Sequence, residues 1–244
     1  MAYCAGCRSR SNAICRYMDV EETLRFNQIG QLQVLERGQH LAWEGGPSNW
    51  VAAIIDGALL LSSTGSDGRR QLLRLAFSSE YVGRPYSNRI DYSVSALTRT
   101  EVLLFERTDF EMLLRSSQNL ARAVLEHTLD ELDDTYASVY LLGRADASQR
   151  IASFLLDMDR KLARPTAHPE RSSGEPTIWL PMDRQGMAEL LGLTLETISR
   201  RLAQMGREGI INISKRRQVT ILDRPALSSI AQGAIAIAGQ ASQD

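Results

Sequence analysis

The sequence predicts an α+β protein: an N-terminal antiparallel β-barrel, one long helix and a C-terminal winged helix-turn-helix. Three observations carry this prediction. Short β-prone runs broken by Gly and Pro turns fill Leu32 to Glu106, and an unbroken helical stretch follows from about Gln118 to Leu142. Then Leu191-Gly192-Leu193-Thr194-Leu195-Glu196-Thr197-Ile198-Ser199-Arg200-Arg201-Leu202 reads as two short helices joined by a tight Gly-containing turn.

The elements follow in order. Residues 1–18 form a leader holding all three cysteines, Cys4, Cys7 and Cys15, and a helix is expected from Val20 to Ile29. The barrel, placed at 19–116, is punctuated by Arg37-Gly38, Glu44-Gly45-Gly46-Pro47, Asp56-Gly57 and Asp67-Gly68. Between them lie Val51–Ile55, Ala58–Ser62 and Gln71–Phe77, a spacing that suits a small antiparallel barrel or sandwich. Thr108 to Arg115 reads as a short capped helix. In the long helix, assigned to 117–145, Leu125, Leu129, Leu132, Tyr136 and Val139 alternate spacings of four and three, a coiled-coil seam of about two heptads. Such a stripe also suits a helix packed on its own barrel. Glu126, Asp130, Glu131, Asp133 and Asp134 flank it and would repel across a dimer. Ala147 to Leu162 is a further helix, 164–176 a Pro- and Ser-containing loop, 146–230 the C-terminal domain and 231–244 a small, polar tail.

The chain of 244 residues, 43% hydrophobic and 23% charged, has room for two modest cores. No apolar run approaches the roughly 18 residues of a membrane span, and the N-terminus lacks a signal-peptide layout. A cytoplasmic location is therefore expected, where clustered cysteines point to metal or redox chemistry. Catalytic fingerprints are absent: there is no Walker A loop, no H-E-x-x-H, no G-x-S-x-G and no dinucleotide motif. Cys4-x-x-Cys7 sits in the leader rather than at a helix start after a strand, which argues against a thiol–disulfide exchanger.

The chemistry concentrates near the C-terminus. Gly192 ends one helix and Thr194 caps the next. Leu195, Ile198, Leu202 and Met205 would face the core, while Glu196, Ser199, Arg200 and Ala203 share the outward face. An Arg there can pair bidentately with guanine, a carboxylate can accept from cytosine and a hydroxyl is permissive. An ordinary Glu–Arg surface pair is the alternative. Ile210–Ile213 and Val219–Leu222 then flank Lys215-Arg216-Arg217, a hairpin whose cationic tip suits phosphate contact or is merely a solvated turn. From Pro181 to Arg224 there are eight Lys or Arg against five Asp or Glu, in a chain of net charge −1, so the positive charge is local.

Barrel, seam helix and winged helix-turn-helix in this order resemble the Crp/Fnr superfamily of bacterial transcription regulators, nearest to its Fnr/FixK branch. The most specific part is Glu196-Thr197-x-Ser199-Arg200, which matches the E-x-x-S-R recognition signature of that branch. The resemblance implies a jelly-roll barrel of the cyclic-nucleotide-binding type and a homodimer on a TTGAT-type inverted repeat in double-stranded DNA. It also implies contact with RNA polymerase. Glu196, Ser199 and Arg200 would read bases, with Thr194, Thr197, Arg201, Lys215, Arg216 and Arg217 around them.

The effector is less direct. Where cyclic-nucleotide binders of the superfamily carry G-E-x-x-G and an Arg-Ser/Thr pair, this chain has Ser79-Glu80-Tyr81-Val82-Gly83 and then Ile90-Asp91, with Arg89 adjacent. An Ile cannot neutralise a phosphate and an Asp repels it, which argues against a cyclic nucleotide and against a module that senses one without binding DNA. The C-x2-C-x7-C array resembles the iron–sulfur segment of oxygen-sensing Fnr proteins, whose barrel supplies a fourth cysteine. The matching position here is Leu103, so a cluster needs a non-cysteine ligand. Three readings stay open: a cluster held by Cys4, Cys7 and Cys15 with a substitute ligand, a thiol switch tuned by Arg8, Arg10 and Arg16, or an inert remnant in a constitutive regulator. His40, His127 and His168 are assigned no role.

Overall fold

Asp19 starts the first helix, α1 (Val20–Ile29), with a reciprocal cap: its carboxylate accepts from the Glu22 N–H at 2.8 Å and the Glu22 carboxylate accepts from the Asp19 N–H at 2.9 Å. The computed structural model describes residues 14–68, 70–162, 177–215 and 217–233. Cys4, Cys7, Arg8, Arg10, His168, Arg216, the 164–176 loop and most of the tail lie outside them. The described residues divide into two compact units, parted between Glu131 and Leu132.

In the first unit eight strands follow α1: β1 (Gln31–Leu35), β2 (His40–Ala42), β3 (Trp50–Asp56), β4 (Ala58–Thr64), β5 (Arg70–Phe77), β6 (Tyr81–Gly83), β7 (Ser93–Ala96) and β8 (Thr100–Glu106). They form two antiparallel four-stranded sheets, ordered β1-β8-β3-β6 and β2-β7-β4-β5. The expected jelly roll is present, as two four-stranded sheets that do not close into one cylinder. β3 and β8 are buried on both faces, and their pleat sorts their side chains. Ala52, Ile54 and Val102 join Leu59, Leu61 and Val94 between the sheets. Val51, Leu103 and Phe105 point the other way, into a cluster with Phe26 of α1, Phe110 of α2 (Arg107–Ser116) and Leu120 of α3 (Gln118–Arg144). The three Phe rings meet there at 4.4 to 6.5 Å. The helix expected at Thr108–Arg115 is α2, and its N-cap, Glu106, makes no side-chain cap bond.

Ile14, Cys15 and Met18, at the end of the stretch read as a leader, are buried in this same cluster. They are apolar enough to repay burial, and Arg16 pairs outward with Glu126 of α3. Hydrogen bonds from Arg122 and then Arg16 hold the Glu126 carboxyl below the usual carboxylate range. Glu131 pairs with Arg74 at 3.2 Å, and Asp134 pairs with Lys161 at 3.2 Å and Arg160 at 3.7 Å. Three of the five carboxylates expected to repel across a dimer therefore have cationic partners within their own chain.

The second unit holds the end of α3, then α4 (Ala147–Leu162), β9 (Thr177–Trp179), α5 (Arg184–Leu191), α6 (Leu195–Arg207), β10 (Ile211–Lys215), β11 (Gln218–Ile221) and α7 (Arg224–Gln232). The predicted apolar face of α4, Ile151, Phe154, Leu155 and Met158, is buried. Asp159 of α4 is also buried and pairs with Arg224 of α7.

Candidate nucleic-acid interface

The candidate interface is built on α5, a left-handed turn and α6. Asp183 caps α5 by accepting from the Gly186 N–H at 3.0 Å. Gly192 takes φ 62° and ψ 40°, a conformation that favours glycine, and ends α5 there. Two residues on, the Thr194 hydroxyl accepts from the Thr197 N–H at 3.1 Å and opens α6. The Thr194 and Thr197 hydroxyls are 2.8 Å apart, so both threonines first serve the helix terminus.

α6 is strongly two-sided. Ile198, Leu202 and Met205 are buried, whereas Glu196, Arg200 and Ala203 are exposed and Ser199 is half-buried. Leu195, expected in the core, is instead 46% exposed, because in the first turn the buried stripe begins only at Ile198. Among the described residues no ion pair links Glu196 to Arg200, so neither is taken up by the surface pair weighed as the alternative. Arg201 differs from Arg200: it is half-buried, and its guanidinium donates to Gln204 Oε1 at 2.9 Å.

The wing is three-stranded, in the order β10-β11-β9. β9 was not foreseen, since three residues beyond a loop carry no readable period. Its Thr177 hydroxyl lies 3.0 Å from that of Thr220. Lys215 belongs to β10 rather than to the tip, with its ammonium 5.8 Å from the Trp179 ring centroid. Arg217 is in the turn, and its carbonyl accepts from the Leu180 N–H at 2.8 Å. α7 was also missed, although Asp223, which accepts from the Ala226 N–H at 2.9 Å, and the Pro at its start were readable signals.

The five seam residues, Leu125, Leu129, Leu132, Tyr136 and Val139, are 43–63% exposed on α3. α3 does pack on the jelly roll, but through Leu120 and Ala123, which precede the seam. Elsewhere in the first unit, Glu80 is buried and paired with Arg74 at 3.6 Å. Ile90 is fully buried, and Asp91 is exposed and paired with Arg84 and Arg89. His40 stacks on Trp43 at 3.6 Å and His127 lies beside Tyr81 at 4.8 Å.

A jelly roll, a long helix with an apolar stripe exposed among the described residues and a winged helix-turn-helix whose outward α6 face is likewise exposed are the parts of a DNA-binding transcription regulator. The comparisons specify which. The model of the Crp-like helix-turn-helix domain matches residues 149–230 and that of the cyclic nucleotide-binding domain residues 32–117. The transcriptional activator protein FnrL of Cereibacter sphaeroides is 36% identical over 220 residues, 90% of this chain and 88% of that protein. The nitrogen fixation regulation protein FixK of Bradyrhizobium diazoefficiens is 29% identical over 211 residues, 86% of each chain. The solved structure of FixK2 from Bradyrhizobium japonicum is 30% identical and superposes with a TM-score of 0.74, covering 83% of this chain and 97% of that one. The chain belongs to the Crp/Fnr family of transcription regulators, in its Fnr/FixK branch. Members of this family are regulators rather than enzymes, and no described helix is long and apolar enough to cross a membrane.

Proposed function

We propose that the chain acts as a homodimer on an inverted-repeat promoter site, pairing along α3 and contacting RNA polymerase from the bound state. Glu196, Ser199 and Arg200 read base edges. Thr194 and Thr197 at the α6 N-terminus, with Lys215, Arg216 and Arg217, hold phosphates. Arg201 contributes its charge from the flank of the helix. The observation that carries this reading is the exposed Glu196–Arg200 face on a helix capped at Thr194 and anchored by Ile198, Leu202 and Met205. Neutralising Lys215, Arg216 and Arg217 together should weaken specific and random duplexes alike, and should lower the salt slope by about 0.9 for each phosphate no longer neutralised. Titrations of both duplexes across a salt series test it, and an unchanged slope removes the wing from the interface.

The signal proposed is oxygen or redox state, received at the N-terminal cysteines. An iron–sulfur cluster does not fit the described residues as they stand. Cys15 is 4% exposed in an apolar cluster, and Leu103, at the position of the family's fourth ligand, is buried there too. Among the described residues no group of three or more His, Cys, Asp or Glu is arranged to hold a metal. The burial of Cys15 and Leu103 favours a second reading, a FixK-like regulator that works without a cofactor. Iron and acid-labile sulfide assays on anaerobically purified protein separate the two. Roughly stoichiometric iron and sulfide, bleached by air, would establish a cluster and require Cys15 to leave its core site. Colourless protein whose DNA affinity shifts with thiol oxidation supports redox sensing without a cluster, and one indifferent to oxidation supports the constitutive reading.

A further inference from the structure

Arg150, one turn into α4, donates from a single guanidinium to three carbonyls on three segments. Nη2 reaches Leu142 O in the last turn of α3 at 2.9 Å, and Nε reaches Ala145 O in the α3–α4 link at 3.0 Å. Nη1 reaches Leu191 O, at the last residue of α5, at 3.1 Å. The final carbonyls of a helix have no partner inside it, and a planar guanidinium holds its donors in a rigid fork. One side chain thus closes the ends of two helices at once. The turn of the helix-turn-helix packs on the same spot: a Cβ on Gly192 would stand 3.5 Å from Leu142 Cδ2 and 3.6 Å from Arg150 Nη1. About two turns earlier in α3, the Asp134 pairs with Arg160 and Lys161 tie it to the far end of α4. Leu132, Tyr136 and Val139 lie in this unit together with α5 and α6.

We infer that Arg150 is a positioning residue: it sets the angle between the seam of α3 and the helix-turn-helix, and so the half-site spacing that the dimer accepts. All three of its acceptors are backbone carbonyls of its own chain. The inference rests on the dimeric reading above. Two half-sites bind together only if the geometry lets both be engaged at once. A hinge freed at Leu142–Ala145 would blur the distance between the two half-site interfaces, beyond whatever it costs each of them.

The test uses the full chain with Arg150→Met and Arg150→Lys. Anisotropy titrations use duplexes with two TTGAT half-sites at the family spacing, the same sites moved by one or two base pairs, and a single half-site. The wild type should discriminate sharply between spacings. Relative to wild type, Arg150→Met should lose about tenfold more on the correctly spaced repeat than on the single half-site and should show a flattened spacing profile. Arg150→Lys, whose three donors radiate from one nitrogen and do not match the spread of Nε, Nη1 and Nη2, should fall between them. A wild-type spacing profile in Arg150→Met, whatever its absolute affinity, overturns the inference. If Arg150→Met does not fold by circular dichroism, the profile of Arg150→Lys decides on the same criterion. A wild-type chain indifferent to spacing would instead overturn the dimeric reading, and this inference with it.

Discussion

Arg200→Ala is expected to weaken binding to the inverted repeat by about 1–3 kcal/mol, roughly five- to 150-fold in Kd, while changing affinity for random duplex only slightly. The expectation follows from how the side chain is held. Arg200 is exposed on a helix whose opposite face, Ile198, Leu202 and Met205, is locked into the core and whose start is fixed by the Thr194 cap. Its guanidinium is free to meet a base edge bidentately, which a phosphate-bound cation need not do. Truncation removes that pairing without touching the core. Parallel titrations on the repeat and on random duplex measure the difference, and an equal loss on both would move Arg200 from base reading to phosphate contact.

The second large effect is expected at the seam. Leu129→Glu combined with Leu132→Glu should convert the proposed dimer to monomer and strip most of the affinity for the repeat, leaving binding to a single half-site intact. Full burial of a Leu side chain contributes about 1.5–3 kcal/mol, of which the half-exposed state on the protomer leaves roughly half to be gained on pairing. Two Leu on each of two protomers make that about 3–6 kcal/mol, on the order of a thousandfold in the dimer constant. Both positions are exposed, at 52% and 43%, and Glu is a good helix former, so α3 itself should survive. Sedimentation velocity with circular dichroism reads both quantities. A variant that remains dimeric would make the stripe a surface with another use.

Engaged carboxylates change what salt should do at this seam. With Glu126, Glu131 and Asp134 already paired inside the chain, repulsion across a dimer is smaller than the acidic composition of α3 suggests. The sequence shows how many charges the helix carries. Only the fold shows that Arg16 beside α1, Arg74 of β5 and Lys161 of α4 each reach one of these carboxylates.

The helix-turn-helix was legible from sequence almost to the residue because its determinants are local. The left-handed Gly192, the Thr194 cap and the Ile198–Leu202–Met205 stripe each act within two turns of chain. The same holds for the Asp19 capping box and for the apolar face of α4. β9 was not legible, since it is a strand only because Val219 and its neighbours in β11 give it a partner some forty residues on. Nor was the burial of Cys15, which depends on Leu103 and Phe105 standing on the helix-facing side of β8. Arg150 carried no signal either, because its three acceptors are backbone carbonyls that every sequence has.

What the sequence by itself determined, then, is the order jelly roll, long helix, helix-turn-helix, together with the outward face of α6 and the exposed stripe of α3, all products of short-range hydrogen bonds and side-chain period. What only the tertiary structure decided is which charges are engaged: Arg200 open to solvent, Arg201 turned to Gln204, Arg150 closing two helix ends, Arg224 paired with Asp159. Residues of one type look alike along a chain. They acquire different work because packing brings a different acceptor, or none, within reach of each.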